Sequence, residues 1–395
     1  MIDALIVGIG EYVTGLSGDE KADSDKSIGV VALALFDMRE RGLIDTISLC
    51  GRDASRFKKI NDNFAKNMKA LYPELDTSFK SFPKNAKSNE AYKDAIDGMK
   101  KGSLVFVFTP DDTHFEIAKY ALEKNMHVQV AKPLVKTFQE HTILEEIASK
   151  NNLLCMLEVH KRYDPIYSDA RDKIQIFGGF SYYNSYMSQP LHQLDTFSSW
   201  AGISSDISYY LNSHHIDFLL WAVGGFAKPI SVYATASNGV GNKKLKRELE
   251  DTITLSVEWQ NNDGSIGTSI HTASWIAPKS DVHSQQRFFY MGHKGEINID
   301  QAHRGYTMSD DDGYKSVNPL FWKYTPRDGK FVGQDTYGYK SLETFVKSAY
   351  KVNENVESLK DFNTNLPTIK NTLLLTKILE AGRKSLDQKK KIELH

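Results

Sequence analysis

The sequence predicts an α/β protein with an N-terminal doubly wound parallel sheet and a C-terminal α+β domain built on a mainly antiparallel open sheet. Two observations predict this fold class. Over residues 1–155, short apolar strands alternate with amphipathic helices, the pattern of a parallel sheet covered on both faces. Beyond residue 160 the strands lengthen and are joined by turn sequences such as Asn262-Asp263-Gly264. We therefore expect one domain over residues 1–157 and a second over residues 158–395.

The individual elements follow from hydrophobic periodicity and from helix stop signals. In Ile28–Arg41 the apolar residues recur at a helical spacing and the pattern stops at Gly42. A second helix over Glu90–Lys101 is expected to end at Gly102 as its C-cap. Strands are predicted at 4–7, 46–50, 103–109, 127–130, 153–159, 180–186, 230–237, 252–259, 265–273, 287–292 and 296–300, and further helices at 115–124, 139–150, 207–223, 338–351 and 367–383.

Composition excludes several classes of function. The chain has 49 basic and 50 acidic residues, so no overall field favours nucleic acid or a membrane surface. No stretch reaches the roughly 18 apolar residues of a membrane span, and the N-terminus lacks the pattern of a signal peptide. The cysteines, Cys50 and Cys155, both lie in apolar strand sequences and are expected to be reduced core residues, which fits a cytoplasmic location.

A glycine turn, Gly8-Ile9-Gly10, follows the first strand directly. A dinucleotide-binding Rossmann fold needs glycines at this place for a tight turn and for close approach of the backbone to a pyrophosphate. Val13 stands where the third glycine of G-x-G-x-x-G would be, and a polar stretch over 17–27 delays the next helix. Because of that insertion, we expect backbone amides of the turn to contact the phosphates: those of Glu11, Tyr12 and Val13.

The cofactor preference should be set at the end of the second strand. NAD-specific folds usually carry Asp or Glu there to hold the ribose 2′-hydroxyl. This chain has Gly51 at that position with Arg52 beside it. A guanidinium can pair with a 2′-phosphate and stack on adenine, so the pattern favours NADP, with NAD as the alternative. An exposed arginine at a strand end is the other interpretation of Arg52.

A lysine follows the strand 127–130 in the sequence Ala131-Lys132-Pro133. Because proline fixes the backbone beside it, Lys132 is a positioned amine at the end of a parallel strand. The carboxyl ends of parallel strands open into the ligand crevice, so in a dinucleotide fold this amine would face the reactive ring. The cofactor contacts expected at these strand ends are Thr109, Pro110, His114, Ala131, Lys132 and Pro133.

Four segments, GIGEYVTG, TPDDTHFEIAKYAL, HVQVAKPL and SHHIDFLLWAVGG, together resemble the glucose–fructose oxidoreductase/inositol dehydrogenase/MocA-like (Gfo/Idh/MocA) family over nearly the whole chain. The resemblance implies an NAD(P)-dependent oxidoreductase acting on a sugar, polyol or uronate. It also implies that Lys132 lies at the nicotinamide end and contacts substrate, although Ala131 replaces the glutamate of the family's Glu-Lys-Pro motif. The HKRYDP and SHHID segments are loosely similar to those of uronate (galacturonate) reductase-like proteins.

The helix over 207–223 carries the H-x-x-D part of this resemblance. His214 matches the family histidine, which implies a catalytic or substrate-contacting role. The family has an aspartate four residues earlier, on the same helix face, where this chain has Tyr210. Tyr210 is a candidate proton donor, with a core aromatic as the alternative. Asn212 and His215 complete the expected substrate contacts, and no His or Cys spacing predicts a metal site.

The polar segment from Glu158 to Pro165 follows the last predicted strand of the first sheet, where side chains can reach a substrate. Arg162 and Pro165 match residues that the family commonly has there. His160 and Lys161 add positive charge suited to an anionic sugar, and a salt-bridged hinge is the alternative. The substrate contacts expected in this segment are His160, Lys161, Arg162 and Tyr163.

The function inferred is reversible hydride transfer between a sugar carbon and a nicotinamide, with Lys132 as acid/base and His214 holding or relaying the hydroxyl. Two alternatives remain open: a glycosidase that retains NAD for transient oxidation, and a non-catalytic NADP(H)-binding regulator. The resemblance further implies a homodimer or homotetramer formed through the open face of the second sheet.

Overall fold

The structure is a computed structural model that describes residues 2–18, 20–22, 26–311, 313–363 and 365–394. Over these residues, the strands form a six-stranded sheet, a seven-stranded sheet and two two-stranded sheets. The strands are β1 (Ile2–Val7), β2 (Leu16–Ser17), β3 (Glu20–Lys21), β4 (Ile44–Cys50), β5 (Lys80–Phe82), β6 (Leu104–Val107), β7 (His127–Ala131), β8 (Cys155–Glu158), β9 (Phe180–Pro190), β10 (Ala227–Asn238), β11 (Glu250–Asn261), β12 (Ile266–Ala277), β13 (Gln285–Gly292), β14 (Glu296–Asp300), β15 (Thr307–Asp310), β16 (Gly313–Ser316) and β17 (Ile392–Glu393).

The helices alternate with the strands of the first half and flank those of the second. They are α1 (Glu11–Thr14), α2 (Val31–Glu40), α3 (Arg56–Asn63), α4 (Lys69–Leu71), α5 (Ala91–Asp97), α6 (His114–Glu123), α7 (Phe138–Lys150), α8 (Pro165–Ile174), α9 (Gln193–Thr196), α10 (Ser213–Val223), α11 (Val240–Leu245), α12 (Tyr337–Asn353), α13 (Leu359–Phe362) and α14 (Leu373–Gln388). Two π-helical segments, Phe64–Met68 and Ser208–Asn212, precede α4 and α10.

The first sheet has the strand order β5-β4-β1-β6-β7-β8, and all its pairings are parallel. This is the 3-2-1-4-5-6 order of a Rossmann sheet. All four residues of β6 are buried, as expected of a strand covered on both faces. The predicted doubly wound parallel sheet is therefore confirmed.

The second sheet has the order β14-β13-β9-β12-β11-β10-β17 and is antiparallel except for the β9–β12 pair. Buried and partly exposed residues alternate strictly along β11, so one face of the sheet packs inward and the other is open. On the packed face, the backbone amide of Ala234 donates to the Ser385 hydroxyl of α14 at 2.9 Å. The predicted α+β domain on a mainly antiparallel open sheet is confirmed as well.

The chain divides into two compact units. The first comprises Met1–Leu134, Gln139–Tyr163 and Pro319–Asn371, and the second Val135–Phe138, Asp164–Asn318 and Thr372–His395. The predicted division after residue 157 therefore differs from the observed one, in which residues 319–371 belong to the first unit.

Contacts between α2 and α12 explain that return. Tyr339 of α12 donates a hydrogen bond to the buried carboxylate of Asp37, and Arg41 donates to the Tyr339 hydroxyl at 2.7 Å. Glu343 pairs with Arg41 at 2.8 Å. Periodicity predicts that α12 exists, but it carries no information about which sheet a late helix packs on.

One predicted helix end was wrong, and one edge strand of the first sheet was missed. The helix expected to end at Gly102 ends at Asp97 with Gly98 as its C-cap. Gly102 instead adopts a positive φ of 79° in the turn before β6, where its carbonyl accepts a hydrogen bond from Asn353. The edge strand β5 was missed, because it has three residues and pairs with β4 alone.

Both cysteines are buried free thiols, as the sequence predicted. Among the described residues, no helix combines the length and apolar character that crossing a membrane requires.

Candidate active site

The turn after β1 cannot carry a side chain at its first glycine. Gly8 has a φ of 112°, and a Cβ there would lie 2.0 Å from the carbonyl oxygen of Phe108. Its amide donates to the Cys50 carbonyl at 2.9 Å. A Cβ on Gly10, in contrast, would meet no atom within 4 Å. The turn is therefore tightly packed at Gly8 and has open space beside Gly10. That space suits the close approach of a phosphate to the backbone.

The helix that follows this turn is interrupted. The amides of Val13 and Thr14 both donate to the Gly10 carbonyl, at 3.1 and 2.9 Å, so α1 is a single turn. The amide of Val30 then donates to the Tyr12 carbonyl at 2.9 Å, just before α2 begins. Of the three predicted phosphate contacts, Val13 already uses its amide inside the turn.

The strand β4 ends at Cys50 and is followed by Gly51, Arg52 and Asp53. A Cβ on Gly51 would lie 2.3 Å from Cδ1 of Ile9, so a larger residue here would require the Ile9 side chain to move. Arg52 is exposed. Asp53 accepts hydrogen bonds from the Ser55 hydroxyl and amide at 2.7 and 3.0 Å, which lower the pKa of its carboxyl group. Lys87 lies 3.2 Å from the same carboxylate.

His114 joins the ends of two neighbouring strands of the first sheet. Its Nδ1 lies 2.8 Å from the carbonyl oxygen of Pro133, and its Nε2 lies 2.8 Å from that of Thr109. The ring is fully buried. Thr109 follows β6 and Pro133 follows β7, so His114 fixes the two predicted cofactor-binding turns against each other. Pro110 accepts hydrogen bonds from the amide and hydroxyl of Thr113 in the same turn.

Lys132 follows β7 directly, and the Lys132–Pro133 peptide bond is cis. Burial lowers the pKa of its amine from about 10.5 to about 7. The carboxylates of Asp111 and Glu158 oppose this shift, and the charge of Lys26 adds to it. An amine with this pKa can both accept and donate a proton near neutral pH, the property that a general acid/base needs.

The segment after β8 is more buried than its charges suggest. The His160 ring stacks on Tyr337 with 5.5 Å between centroids and also contacts Phe321. Lys161 is 1 % exposed and Arg162 is 8 % exposed. One guanidinium nitrogen of Arg162 donates to the Asn365 carbonyl at 3.5 Å. Tyr163 is partly exposed.

In the second unit, the two adjacent histidines of α10 have different surroundings. His215 is 1 % exposed, and its Nε2 lies 3.0 Å from the Tyr167 hydroxyl in a cluster of rings that includes Phe288. It therefore lies in the core of this unit. His214 is 5 % exposed, and adjacent residues of a helix project about 100° apart. Asn212 donates to the Ser208 hydroxyl at 3.0 Å within the π-helical segment that precedes α10. Segments of this kind occur frequently at functional sites.

Tyr210 lies in the same π-helical segment and belongs to an aromatic cluster. Its ring stacks on Trp275 at 5.7 Å and contacts Phe197 and Trp200 at 5.3 and 5.2 Å. Trp275 is fully buried, whereas Phe197 and Trp200 are partly exposed. The core-aromatic interpretation of Tyr210 gains support from these contacts. Sequence reasoning did not find Phe197, Trp200 or Trp275, and the only available signal was the aromatic density around 197–210.

Two cations hold the loop that carries Phe197 and Trp200. Lys244 lies 2.8 Å from a carboxylate oxygen of Asp195. Arg247 donates to the Ser198 carbonyl at 2.7 Å and to the Ala201 carbonyl. The partly exposed rings are thus presented by a tethered loop. Within the described ranges, no group of three or more His, Cys, Asp or Glu residues could hold a metal ion.

Comparison with known families identifies the first unit. Residues 32–159 match the family model GFO_IDH_MocA, described as "Oxidoreductase family, NAD-binding Rossmann fold". This part of the chain is therefore similar to the NAD-binding domain of Gfo/Idh/MocA oxidoreductases. This agrees with the parallel sheet order, the glycine turn and the Lys-Pro segment after β7.

Similar family members differ in how much of the chain they match. The scyllo-inositol 2-dehydrogenase (NADP(+)) IolW of Bacillus subtilis is 23 % identical over 97 % of this chain and 99 % of its own length. The uncharacterized oxidoreductase YdgJ of Escherichia coli is 29 % identical over 33 % of this chain, and the match spans only 37 % of YdgJ.

Solved structures show the same fold. The scyllo-inositol dehydrogenase of Lactobacillus casei, determined with bound cofactor NAD(H) and scyllo-inositol, superposes with a TM-score of 0.65. It is 14 % identical and covers 99 % of this chain and 98 % of that protein. At this identity, the likeness shows the fold alone.

Proposed function

We propose that this oxidoreductase transfers a hydride between a nicotinamide and a carbon of a sugar, polyol or uronate. The observation that carries the proposal is Lys132, an amine with a pKa of about 7 that follows a central strand of an NAD-binding Rossmann sheet. The names of IolW and of the L. casei enzyme make cyclic polyols the first substrates to test.

The residues present fit a dinucleotide. The Gly8–Gly10 turn is open at Gly10, and His114 fixes the turns after β6 and β7. When bound, the nicotinamide would supply the hydride acceptor or donor. Glu11 and Tyr12 would approach the phosphates, and Arg52 would pair with a 2′-phosphate, so we propose NADP as the preferred cofactor. The engagement of Asp53 by Ser55 supports this preference, because that carboxylate is already hydrogen-bonded locally.

Lys132 manages the proton in this proposal. During oxidation of an alcohol, the neutral amine takes the hydroxyl proton as the carbon loses its hydride, and the O–H electron pair forms the carbonyl. In the reverse direction, the ammonium form returns the proton to the developing alkoxide. His214 holds the substrate hydroxyl by a hydrogen bond and thereby orients it.

An absorbance assay at 340 nm tests this function. Wild-type protein would be incubated with NADP(H) or NAD(H) and a panel of inositols, aldoses and uronates. We expect cofactor to be converted in a one-to-one ratio with at least one member of the panel, and faster with NADP(H). Nucleotide binding without turnover of any compound would indicate a regulator. Cleavage of a glycosidic bond without net cofactor conversion would indicate an NAD-retaining glycosidase.

A further inference from the structure

A cluster of four aromatic rings in the second unit has one ring buried and three partly exposed. The buried ring is that of Trp275, which contacts each of the others with 5.6 to 5.9 Å between ring centroids. The partly exposed rings are those of Phe197, Trp200 and Tyr210, and Trp200 lies 5.0 and 5.2 Å from the other two. One buried indole thus supports three rings whose surfaces a ligand can contact.

Hydrogen bonds hold the two segments that carry the partly exposed rings. Arg247 donates to the carbonyls of Ser198 and Ala201, in the loop that carries two of the rings. The carboxylate of Asp206 accepts hydrogen bonds from two backbone amides, at 2.8 and 2.9 Å, at the start of the segment that carries the third. A surface that is fixed in advance loses little conformational entropy when a ligand binds, which favours binding of a small, rigid molecule.

A buried hydrogen-bond donor and a buried acceptor lie on neighbouring strands at the base of the cluster. Gln189 follows Ser188 on β9, Trp275 follows Ser274 on β12, and the two serines pair in register. Gln189 and Trp275 therefore project from the same face of the sheet. Among the described residues, the side-chain oxygen of Gln189 and the indole nitrogen of Trp275 are buried and have no hydrogen-bond partner. Buried polar groups are nearly always hydrogen-bonded, and a hydroxyl group, which both donates and accepts, would satisfy these two.

Sugar and cyclic polyol rings match both features of this cluster. Such a ring presents C–H groups on its faces and hydroxyl groups around its rim. The C–H groups are slightly positive and are attracted by the negative face of an aromatic ring. Ligand sites commonly combine aromatic surface with a few polar groups that fix orientation, and the exposed Ser198 and Ser199 supply further hydroxyls beside the rings.

We propose that Phe197, Trp200 and Tyr210 form a stacking platform for the C–H face of a sugar or cyclic polyol ring, and that Gln189 accepts a hydrogen bond from a hydroxyl group of that ring. The proposal rests on the proposed function, because it assigns a binding subsite to the substrate class named there. Tyr210 lies four residues, or about one helical turn, before His214. The platform and the proposed hydroxyl contact are thus carried by one segment of the chain.

Saturation-transfer NMR tests the platform without requiring turnover. Wild-type protein with NADP would be irradiated at its aromatic proton frequencies in the presence of methyl β-D-glucopyranoside or myo-inositol. We expect the glucoside protons on one face of the ring to receive more saturation than those on the other face and more than the methyl group. Equal saturation of both faces, or no transfer to either probe, would overturn the proposal.

Variants then test the individual residues by titration of the same signal. Trp200→Ala and Gln189→Leu should each raise the dissociation constant of the probe by roughly three- to tenfold, and Trp200→Phe should stay within about twofold of wild type. Trp221→Ala is the matched control, because it removes another partly exposed indole of this unit, one that lies under Arg171 and outside the cluster. An unchanged dissociation constant in both Trp200→Ala and Gln189→Leu would contradict the proposal.

Two further results separate the possible failures. If Trp200→Ala disturbs the loop, the pattern of saturation in wild type and the effect of Gln189→Leu still decide the matter, because neither depends on that variant. If the probes bind as expected but no compound in the panel is converted, the proposed reaction fails while the subsite stands. If a sugar is converted but its binding does not depend on Trp200 or Gln189, the subsite fails while the reaction stands.

Discussion

The two units place their candidate residues on different kinds of structure. In the first, Gly8, Thr109 and Lys132 follow β1, β6 and β7, neighbouring parallel strands whose register fixes their separation. In the second, Tyr210 and His214 lie on a helical segment beside a tethered loop. A position at the end of a paired strand tolerates little variation, whereas a loop and the face of a helix can change without altering the sheet. In the proposed function, the first unit supplies Lys132 as acid/base and the second supplies His214, which orients the substrate.

The largest effect should come from the first unit. Lys132→Ala removes the proposed acid/base, and we expect turnover to fall by about 100-fold or more, the scale of general acid–base catalysis. The dissociation constant for NADPH, followed by its fluorescence, should stay close to that of wild type. Near-normal turnover in this variant would show that Lys132 is not the acid/base, and the contrast drawn between the two units would fail.

The adjacent histidines of α10 sharpen the comparison within the second unit. His214→Asn should lower turnover by roughly tenfold or more, the worth of a hydrogen bond to a reacting group. His215→Ala removes the buried contact with Tyr167 and should lower the free energy of unfolding by about 2 kcal/mol or more. Thermal denaturation and steady-state kinetics on both variants check this. A larger loss of turnover in His215→Ala than in His214→Asn would contradict the role assigned to His214.

Arg52 tests the cofactor preference of the first unit. Arg52→Ala should raise the dissociation constant for NADPH by roughly tenfold and that for NADH much less, because only NADPH carries the 2′-phosphate. The exposed Lys58 of α3 provides the control, since Lys58→Ala removes a nearby positive charge from the surface. Equal weakening of both nucleotides in Arg52→Ala would mean that the guanidinium contacts a group common to the two cofactors.

Trp200 should give the smallest change, and one confined to substrate binding. Trp200→Ala removes a partly exposed ring of the aromatic cluster, and we expect KM for the substrate to rise by roughly three- to tenfold with kcat within about twofold. Trp221→Phe serves as control, because that ring lies under Arg171 at 5.2 Å and outside the cluster. If kcat instead fell by as large a factor as KM rose, Trp200 would take part in the reaction and not only in substrate binding.

The first unit was predictable from sequence because its signals are local. An apolar strand followed directly by Gly8-Ile9-Gly10, and another followed by Lys132-Pro133, each report a strand end without reference to distant residues. The pairing of Ala131 with Glu158 could not be predicted, because it depends on the register of two strands separated by α7. The same limit explains why the return of α12 to the first unit was missed.

In the second unit, sequence reasoning selected His214 over His215 from the motif, and that selection stays a prediction. His215 packs with Tyr167 and Phe288, which come from α8 and β13. The aromatic cluster around Tyr210 was missed because Trp275 lies 65 residues away in sequence, on β12. Contacts of this range leave no periodic pattern in the chain.

The pH dependence of turnover tests the role of Lys132 most directly. Since burial lowers the pKa of this amine to about 7, the neutral form predominates only above that pH. We therefore expect the rate of alcohol oxidation to rise through a single ionisation near pH 7 and to level off above it, and we expect that step to be absent from the residual activity of Lys132→Ala. A rate that is flat from about pH 6 to pH 8, or the same step in both proteins, would contradict the assignment of Lys132 as the acid/base.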